Sequence, residues 1–345
     1  MHPLVRWQFR GGIEEHDRKA FLFKNVVDSK GNKFDMPVAV GVLAANREIY
    51  AMGMGCPVEE VQDRWAQAIA NPISPKEISS DEAPCHEIII EGDDLDKPGN
   101  ALDSIPVPIS TPGWDVGPVA TLTQYVTRDP DTGLTNMGNY RAQVKGPRRM
   151  GMNPSLELRP GIYIHWEKMK ERGEKLPAAV VLGAPSCVTF TAAQKLPENL
   201  EEITVAGGLV GSPINVVRAR TVDLMVPAEA EIVVEGYINT EMLEPEAPFG
   251  ESHGHVNLQE FNAYMDVTCI TRRSKPIMTS IISQVTPSES SCIKQVAYET
   301  IFMNHMRDAL GIKGIQRVAL HEPLTNIRKL VVLVCDRDMP TTEVW

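Results

Sequence analysis

The sequence has neither a long apolar run nor an excess of basic residues. No segment approaches the roughly 18 consecutive apolar residues of a membrane-spanning helix, and Met1 to Gly12 lack the apolar core of a secretory signal. Lys and Arg total 34 against 45 Asp and Glu, which gives a net charge of -11. Because nucleic-acid binding needs a basic surface to neutralise phosphates, we expect neither a nucleic acid nor a membrane as a partner.

Cysteine is also sparse, and its spacing matches no common metal-binding pattern. The sequence contains six cysteines, and none of them forms a C-x-x-C pair. Zinc modules and disulfide-stapled folds use recurring close spacings, so neither is expected here. Scattered, unpaired cysteines are typical of a reducing compartment, and we therefore expect a cytoplasmic protein.

The length of 345 residues is enough for two domains and part of a third. Residues 1–118 mix short strands with helices and indicate an N-terminal α/β region. Residues 119–288 contain mainly strand patterns, which favour a barrel or a sandwich. Residues 289–345 begin with a strong helix followed by two strands, so we expect the beginning of a C-terminal α/β domain. The chain stops just after another helix start, which indicates a fragment.

Apolar periodicity and turn residues predict the individual elements. Strands are expected at Phe21–Val26, Pro37–Val42, His86–Glu91, Thr121–Arg128, Asn139–Lys145, Ala178–Leu182, Ile214–Arg218, Ile232–Ile238, Tyr264–Arg272, Ile277–Ser283, Ile315–Leu320 and Lys329–Cys335. Helices are expected at Val58–Ala70, Tyr163–Arg172, Thr189–Lys195 and 290–311.

The segment from Asn136 to Arg141 carries residues that suit a binding site. An Asn side-chain carbonyl is a good ligand for a hard cation, and an Arg that leaves a strand can bind a carboxylate through two hydrogen bonds. The same residues also suit a β-turn built from Asn and Gly and followed by a surface Arg. The segment alone leaves both interpretations open.

Glu246 and Glu251 stand five positions apart in a segment rich in Pro and Gly. Stiff loops of this kind often carry catalytic groups. When two carboxyl groups lie close together, the pKa of one rises, which provides a proton donor near neutral pH. Arg141 is suited to hold the other carboxylate ionised. An acidic surface turn would explain the same residues without any chemistry.

Two further groups of residues are less specific. Glu202 leads directly into an apolar, Gly-containing stretch, so its carboxylate is either a metal ligand or an ordinary solvated side chain. The basic cluster of Lys145, Arg148 and Arg149 is either a solvated loop or a contact for phosphate or carboxylate.

Taken in this order, the motifs resemble the UbiD family of decarboxylases. Asn136–Arg141 matches the family pattern N-x-G-x-Y-R, and Glu246–Glu251 matches E-x-P-[FY]-G-[ED]. Glu202 matches the family's acidic residue before an Ala- and Gly-containing stretch, and Val226–Gly236 matches V-P-A-x-A-E-I-V-x-E-G. Four matches in the same order are not expected by chance, and a weaker resemblance extends over nearly the whole chain.

The resemblance implies a fold, a cofactor and a reaction. Members of the family have a mixed α+β fold in which a central split β-barrel binds prenylated FMN, with Mn²⁺ or Mg²⁺ at the cofactor phosphate and K⁺ nearby. The cofactor comes from a flavin prenyltransferase and is the electron sink for reversible decarboxylation of an aromatic or α,β-unsaturated carboxylic acid. Relatives form dimers or hexamers, so a homo-oligomer is expected.

By position, the resemblance also implies roles for individual residues. Arg141, Glu246 and Glu251 would form the catalytic Arg–Glu–Glu network, with Glu251 as the proton donor. Asn136 and Glu202 would bind the metal, and the third ligand would be His165 or Glu157. The residues expected to contact the cofactor are Asn136, Met137, Tyr140, Arg141, Gln143, Ser186, Thr191 and Glu202.

Two other functions remain as alternatives. An FMN reductase-like oxidoreductase would also use a split barrel, but the sequence has no G-x-G-x-x-G motif for a nicotinamide cofactor, and hydride transfer gives Glu246 and Glu251 no task. A non-catalytic subunit of a carboxylase complex would bind no flavin at all.

Overall fold

The computed structural model describes residues 1–110, 113, 115–154, 159–197, 200–250, 256–282, 287–320, 331–340 and 342. Its helices are α1 (His2–Arg10), α2 (Arg47–Met54), α3 (Val61–Ala70), α4 (Gly161–Glu171), α5 (Ser186–Ala192), α6 (Glu202–Val210) and α7 (Glu289–Asn304). Short 3-10 turns lie at Glu15–Asp17, Val58–Glu60, Pro84–His86, Gly92–Asp96 and Leu102–Ser104, and a π turn covers His305–Ala309. Within these ranges, no helix combines the length and apolarity needed to cross a bilayer.

The strands are short, and most of the longer ones lie in one sheet. They are β1 (Phe21–Phe23), β2 (Val26–Val27), β3 (Lys33–Phe34), β4 (Val38–Val40), β5 (Lys76–Glu77), β6 (Ile88–Glu91), β7 (Val119–Ala120), β8 (Gln124–Arg128), β9 (Thr135–Asn139), β10 (Ala142–Gly146), β11 (Arg149–Gly151), β12 (Leu176–Leu182), β13 (Asn215–Arg218), β14 (Met225–Pro227), β15 (Ile232–Ile238), β16 (Glu244–Glu246), β17 (Phe249–Gly250), β18 (Val256–Asn257), β19 (Glu260–Asn262), β20 (Tyr264–Arg272), β21 (Met278–Ser280), β22 (Ile315–Leu320) and β23 (Val331–Cys335). The large sheet is antiparallel in the order β7-β10-β11-β20-β15-β12-β8-β9, with β6 also paired to β20.

Strand β12 is apolar throughout because both faces of the large sheet are covered. Ala179 and Val181 lie in one hydrophobic core, whereas Val180 and Leu182 lie in a second core on the opposite face. Successive side chains of a strand point to opposite faces, so a strand between two cores needs a continuous apolar run. Helices α2, α3, α5, α6 and α7 contribute to the first core, and α1 and α4 contribute to the second.

Helix α6 packs so closely on α3 that its glycines are required. A Cβ atom at Gly208 would lie 2.8 Å from the Cα of Ala68, and one at Gly207 would lie 2.8 Å from the carbonyl oxygen of Ile73. Glycine lowers helix propensity, but here it allows two backbones to approach each other. The close packing fixes the N-terminus of α6, where Glu202 lies.

The mixed α+β class predicted from the sequence is confirmed, and β15, β20 and β22 have the predicted bounds. The predicted strand Phe21–Val26 is wrong as a single element, because β1 ends at Phe23 and β2 begins at Val26. The predicted helix 290–311 ends earlier, at Asn304, and continues as the π turn. Helices α1, α2 and α6 were not predicted. The domain boundaries at residues 118 and 288 stay predictions.

Candidate active site

Asn136 lies in a strand rather than in a turn. Strand β9 pairs with β8 at the edge of the large sheet, with Asn136 opposite Thr127. The outer edge of β9 is capped by the N-terminus of α6: the N–H of Thr135 donates to Glu201 (2.8 Å), and the N–H of Met137 donates to Glu202 (2.9 Å). Edge strands leave every second N–H unpaired, so these two carboxylates complete the sheet and place Glu202 beside Asn136.

The carboxyl group of Glu202 is enclosed without a compensating positive charge. Burial raises its pKa to about 7, although the N–H of Met137 favours the ionised form. Among the described residues no cationic side chain offsets its charge, and Glu201 adds repulsion. An ionised carboxylate in such surroundings is stabilised by a bound cation. The carboxylate of Glu202 is therefore suited to bind a cation.

The neighbouring Asn136 has an amide group with unused hydrogen-bonding capacity. Its Nδ2 atom is buried and has no hydrogen-bond partner among the described residues, which is uncommon in folded proteins. Tyr140, whose pKa is raised by burial, interacts with the side chain of Asn136 and with the charge of Glu202. An unpaired N–H donor next to an uncompensated carboxylate suits a phosphate that is bound together with a divalent cation.

Gly161, the first residue of α4, determines the position of the Asn136 side chain. A Cβ atom at Gly161 would overlap the Oδ1 atom of Asn136 and lie 2.7 Å from its Cγ. The absent Cβ therefore leaves the space that the Asn136 amide occupies against α4. Proline at position 160 precedes the helix as its N-cap.

Arg141 and Glu246 form a buried, bidentate ion pair, although they are 105 positions apart. The Nε atom of Arg141 donates to Oε1 of Glu246 at 3.1 Å, and its NH2 group donates to Oε2 at 2.8 Å. The side chains are only 10% and 4% exposed. The guanidinium carbon also lies 4.9 Å from the centre of the Phe249 ring. Bidentate pairs of this kind fix both distance and orientation.

Two asparagines complete the surroundings of Glu246. The side-chain amide of Asn153 donates to Oε2 of Glu246 at 2.6 Å, and that of Asn262 donates to the same atom at 3.2 Å. All of these partners are N–H donors, which a carboxylate can accept and a protonated carboxyl oxygen accepts poorly. The arrangement therefore fixes both carboxylate oxygens of Glu246 in place.

Glu251, the third residue of the predicted network, lies outside the described residues, as does Glu157. Strand β17 ends at Gly250, immediately before Glu251 in the sequence. Asn153 and Asn262 were not among the predicted site residues. A single Asn carries no periodic signal, and only its contact with Glu246 distinguishes it.

His165 lies on α4 and has a hydrogen-bond partner at one ring nitrogen, with a carboxylate near the other. Its Nδ1 atom lies 2.9 Å from the hydroxyl of Thr127, and its Nε2 atom lies 3.9 Å from Asp129. Burial lowers the pKa of His165 to about 4, so the ring is neutral. Burial alone would raise the pKa of Asp129, but hydrogen bonds from Lys168 and two backbone N–H groups lower it to about 2. These contacts support a packing role for His165, and its role as a metal ligand stays a prediction.

The remaining predicted cofactor contacts fall into two groups. Gln143 lies close to the Arg141–Glu246 pair, because its Oε1 atom accepts from the N–H of Ala247 at 3.3 Å. Ser186 is the partly exposed first residue of α5. In contrast, the Met137 side chain is 3% exposed in the first core, and the Thr191 hydroxyl donates to the carbonyl of Val188 at 3.0 Å. The side chains of Met137 and Thr191 thus make packing contacts in the structure, and their contact with a cofactor stays a prediction.

The basic cluster contacts carboxylates of this chain. Lys145 lies 3.4 Å from Glu244, Arg148 lies 2.9 Å from Asp96, and Arg149 pairs with both Glu244 and Asp266.

Within the described ranges, no three His, Cys, Asp or Glu side chains form a group able to hold a metal ion. Any cation at Glu202 would thus need amide oxygens, water, cofactor oxygens or residues outside these ranges as its other ligands.

Comparison with known proteins identifies the family of the domain that carries these residues. Residues 76–285 match the UbiD family model, described as the 3-octaprenyl-4-hydroxybenzoate carboxy-lyase Rift-related domain. An uncharacterized protein from Synechocystis sp. is 33% identical over 311 residues, which is 84% of this chain and 59% of the relative.

Solved structures agree with this match. The UbiD-class enzyme HmfF from Pelotomaculum thermopropionicum, solved in complex with FMN, is 30% identical and has a TM-score of 0.75, with 84% of this chain and 62% of that chain covered. The 3,4-dihydroxybenzoic acid decarboxylase AroY from Klebsiella pneumoniae is 25% identical, with a TM-score of 0.71 and coverage of 83% and 59%. Vanillic acid decarboxylase from Sedimentibacter hydroxybenzoicus, at 22% identity and a TM-score of 0.81, shows the same fold over 97% of this chain. The chain spans about three fifths of the length of the relatives it matches.

Proposed function

This chain belongs to the UbiD family of carboxy-lyases, and we propose that it carries the flavin-binding and proton-transfer residues of a decarboxylase. The substrate would be an aromatic or α,β-unsaturated carboxylic acid, and the cofactor would be prenylated FMN. The observation that carries the proposal is the buried Arg141–Glu246 pair, held by two further amide donors. HmfF, one of the similar structures, has been solved with FMN and, in an evolved dimeric form, with prFMN.

The bound cofactor would supply the electron sink that loss of CO₂ from an sp² carbon requires. The chain's own residues would orient the acid and supply the proton that replaces CO₂. Arg141 is suited to orientation, because its fixed guanidinium group presents donors in one plane. Its two hydrogen bonds to Glu246 hold that plane in place. A preorganised charge of this kind favours the transition state more than a mobile one.

Glu246 is a poor candidate for the proton donor in this arrangement. Its two carboxylate oxygens accept hydrogen bonds from Arg141, Asn153 and Asn262. Both oxygens are thus already engaged by donors of this chain, which leaves Glu246 poorly placed to reach a substrate. We assign Glu246 to the positioning of Arg141 and retain Glu251 as the proposed general acid.

We further propose that Asn136 and Glu202 hold the phosphate end of the cofactor together with a divalent cation, Mn²⁺ or Mg²⁺. The proposal is supported by the unpaired Nδ2 of Asn136 and by the uncompensated carboxylate of Glu202. His165 or Glu157 as a further ligand, a K⁺ ion, a homo-oligomeric assembly and a flavin prenyltransferase as the source of the cofactor remain proposals of the same kind.

The proposed function is tested by co-expression with a flavin prenyltransferase. Mass spectrometry of the cofactor released from the purified protein should give the mass of prenylated FMN, and a panel of aromatic and unsaturated acids should include one that releases CO₂. Purified protein that holds no flavin despite the co-expression would favour a non-catalytic subunit. NADH oxidation by an ordinary FMN form would favour the reductase alternative.

Glu251→Gln is expected to reduce decarboxylation by about 10²-fold or more, because the amide cannot donate the proton that replaces CO₂. Flavin content should remain that of the wild type. The assay is CO₂ release normalised to bound flavin. Glu241→Gln, an exposed acid in the same region of the sequence, is the matched control and should keep its rate. A Glu251 variant with the wild-type rate would remove this residue from catalysis.

Gly161→Ala is expected to weaken Mn²⁺ binding by roughly 10-fold, because the added Cβ overlaps Oδ1 of Asn136. Alanine has the higher helix propensity, so instability of α4 would not explain a loss. The measurement is the Mn²⁺ dissociation constant, with bound metal quantified by mass spectrometry. Gly146→Ala is the control, because no atom lies within 4 Å of a Cβ at that position. Unchanged metal affinity in Gly161→Ala would argue against Asn136 as part of the cation site.

A further inference from the structure

A cavity of about 230 Å³ lies between α2 and the N-terminal half of α7. None of the residues assigned above to catalysis or to the cofactor lines it. Its walls include Arg18, Arg47, Glu15, Tyr50 and Val296. Pockets for drug-sized ligands are larger, about 300–1,000 Å³. The volume therefore suits a small molecule.

Arg18 is a cation without a partner at this cavity. Its Nε–H group is buried and has no acceptor among the described residues. No carboxylate in these ranges forms an ion pair with it, and its guanidinium carbon lies 5.1 Å from the centre of the Phe9 ring. A guanidinium group in such surroundings gains most from an anion that accepts two of its N–H groups.

The position of Arg18 is fixed by the first turn of α2. The side-chain amide of Asn46, the N-cap residue, donates to the carbonyl of Arg18 at 2.9 Å, and its Oδ1 atom accepts from the N–H of Ile49 at 2.8 Å. Asn46 is 6% exposed and uses both ends of its amide. The segment that carries Arg18 is therefore attached to the wall of the cavity, and a ligand would not have to order it.

The charges of the cavity select a monoanion. Arg47 also lines it, but its Nε atom lies 3.7 Å from Glu15, and both side chains are nearly half exposed. Glu15 thus offsets one of the two guanidinium groups, and one positive charge remains. A single carboxylate matches this balance, whereas a phosphate dianion would leave a negative charge near Glu15.

The rest of the cavity is suited to an apolar body. The ring of Tyr50 is stacked on Phe190 at 4.0 Å between centroids, which holds it rigidly. A smaller recess lined by Val58 and Val61 shares Arg47, Tyr50 and Val296 with the main cavity. A ligand with a carboxylate at Arg18 would therefore place its hydrophobic part against Tyr50 and Val296, which line the main cavity.

We propose that this cavity binds a small monocarboxylate with an apolar body, held by Arg18 and Arg47, at a site separate from the Arg141–Glu246 pair. The proposal does not depend on decarboxylation, and its test needs neither flavin nor turnover.

Cys292 gives a local readout, because it lines the cavity and is partly exposed. Benzoate is the probe, and benzamide is its uncharged analogue. In the full chain, benzoate should slow alkylation of Cys292 by iodoacetamide, as followed by peptide mass spectrometry. Cys56 and Cys335, which are also partly exposed and do not line the cavity, should react at unchanged rates. Titration calorimetry gives the affinity independently of thiol reactivity.

Arg18→Gln should weaken benzoate binding by roughly 10- to 100-fold, the loss expected for a charge-assisted hydrogen bond. Arg47→Gln should act in the same direction and replaces Arg18→Gln if that variant does not fold. Arg141→Lys should leave the protection of Cys292 unchanged. The proposal is overturned if benzoate neither binds nor protects Cys292, if benzamide or inorganic phosphate protects it equally well, or if both cavity variants bind like the wild type.

Discussion

Replacing Arg141 with lysine is expected to lower kcat/KM for decarboxylation by about 100-fold or more, with the fold intact. Lysine keeps the positive charge but has no planar fork, so it cannot form both hydrogen bonds that Arg141 makes with Glu246 at 3.1 and 2.8 Å. The ammonium group would also be free to rotate away from the Phe249 ring. The measurement is CO₂ release normalised to bound flavin, because Arg141 is also a predicted cofactor contact.

Arg149→Lys is the matched control for this experiment. Arg149 also bridges carboxylates, with Nε 2.9 Å from Asp266 and NH1 2.6 Å from Glu244, and its guanidinium carbon lies 4.2 Å from the Tyr264 ring centre. Its side chain is 42% exposed, however, and exposed ion pairs contribute little. We expect kcat/KM of Arg149→Lys to stay within about threefold of the wild-type value. Equal losses of kcat/KM in both variants would mean that Arg141→Lys lowers the rate only by destabilising the fold.

The sequence predicted the strands best where burial leaves a continuous or alternating apolar pattern. The run Ile232–Ile238 lies between two cores, so five of its seven positions are apolar or aromatic, and the predicted bounds of β15 were correct. Helix α6 was missed for the opposite reason. It is buried on several sides, so it shows no polar face, and its two glycines suggest a loop unless the close approach of α3 is known.

At the candidate site too, the sequence showed local patterns but not the contacts between distant segments. The sequence left a turn at Asn136 open as one of two interpretations, because Asn and Gly are common in turns. Pairing with β8 and capping by α6 instead hold this segment as a strand. Such pairing overrides weak strand propensity. The contacts of Asn153 and Asn262 with Glu246 come from distant segments and have no signature within any short window.

Removal of the Glu289 carboxylate is expected to lower the free energy of unfolding by roughly 3–5 kcal/mol. Glu289, the first residue of α7, is 1% exposed and accepts backbone N–H groups from Gly41 (2.8 Å), Leu43 (2.8 Å) and Ala44 (3.0 Å). Glu289→Ala would leave these three buried donors without partners. Chemical unfolding measures the effect, and Glu48→Ala, an exposed acid in the first turn of α2, should change stability by less than about 0.5 kcal/mol.

Glu289→Gln removes the titration of this group and keeps one of its two acceptor oxygens. Burial raises the pKa of Glu289, although the three N–H groups oppose this shift. Because the folded state then binds the proton more tightly than the unfolded state, the stability of the wild type should fall as the pH rises through the ordinary range of a Glu carboxyl. Glutamine does not titrate, so the difference between wild type and Glu289→Gln should shrink as the pH rises above 4.5, the ordinary pKa of a Glu carboxyl. A difference that grows with pH would mean that the three donors outweigh burial, so that the folded-state pKa lies below the ordinary value.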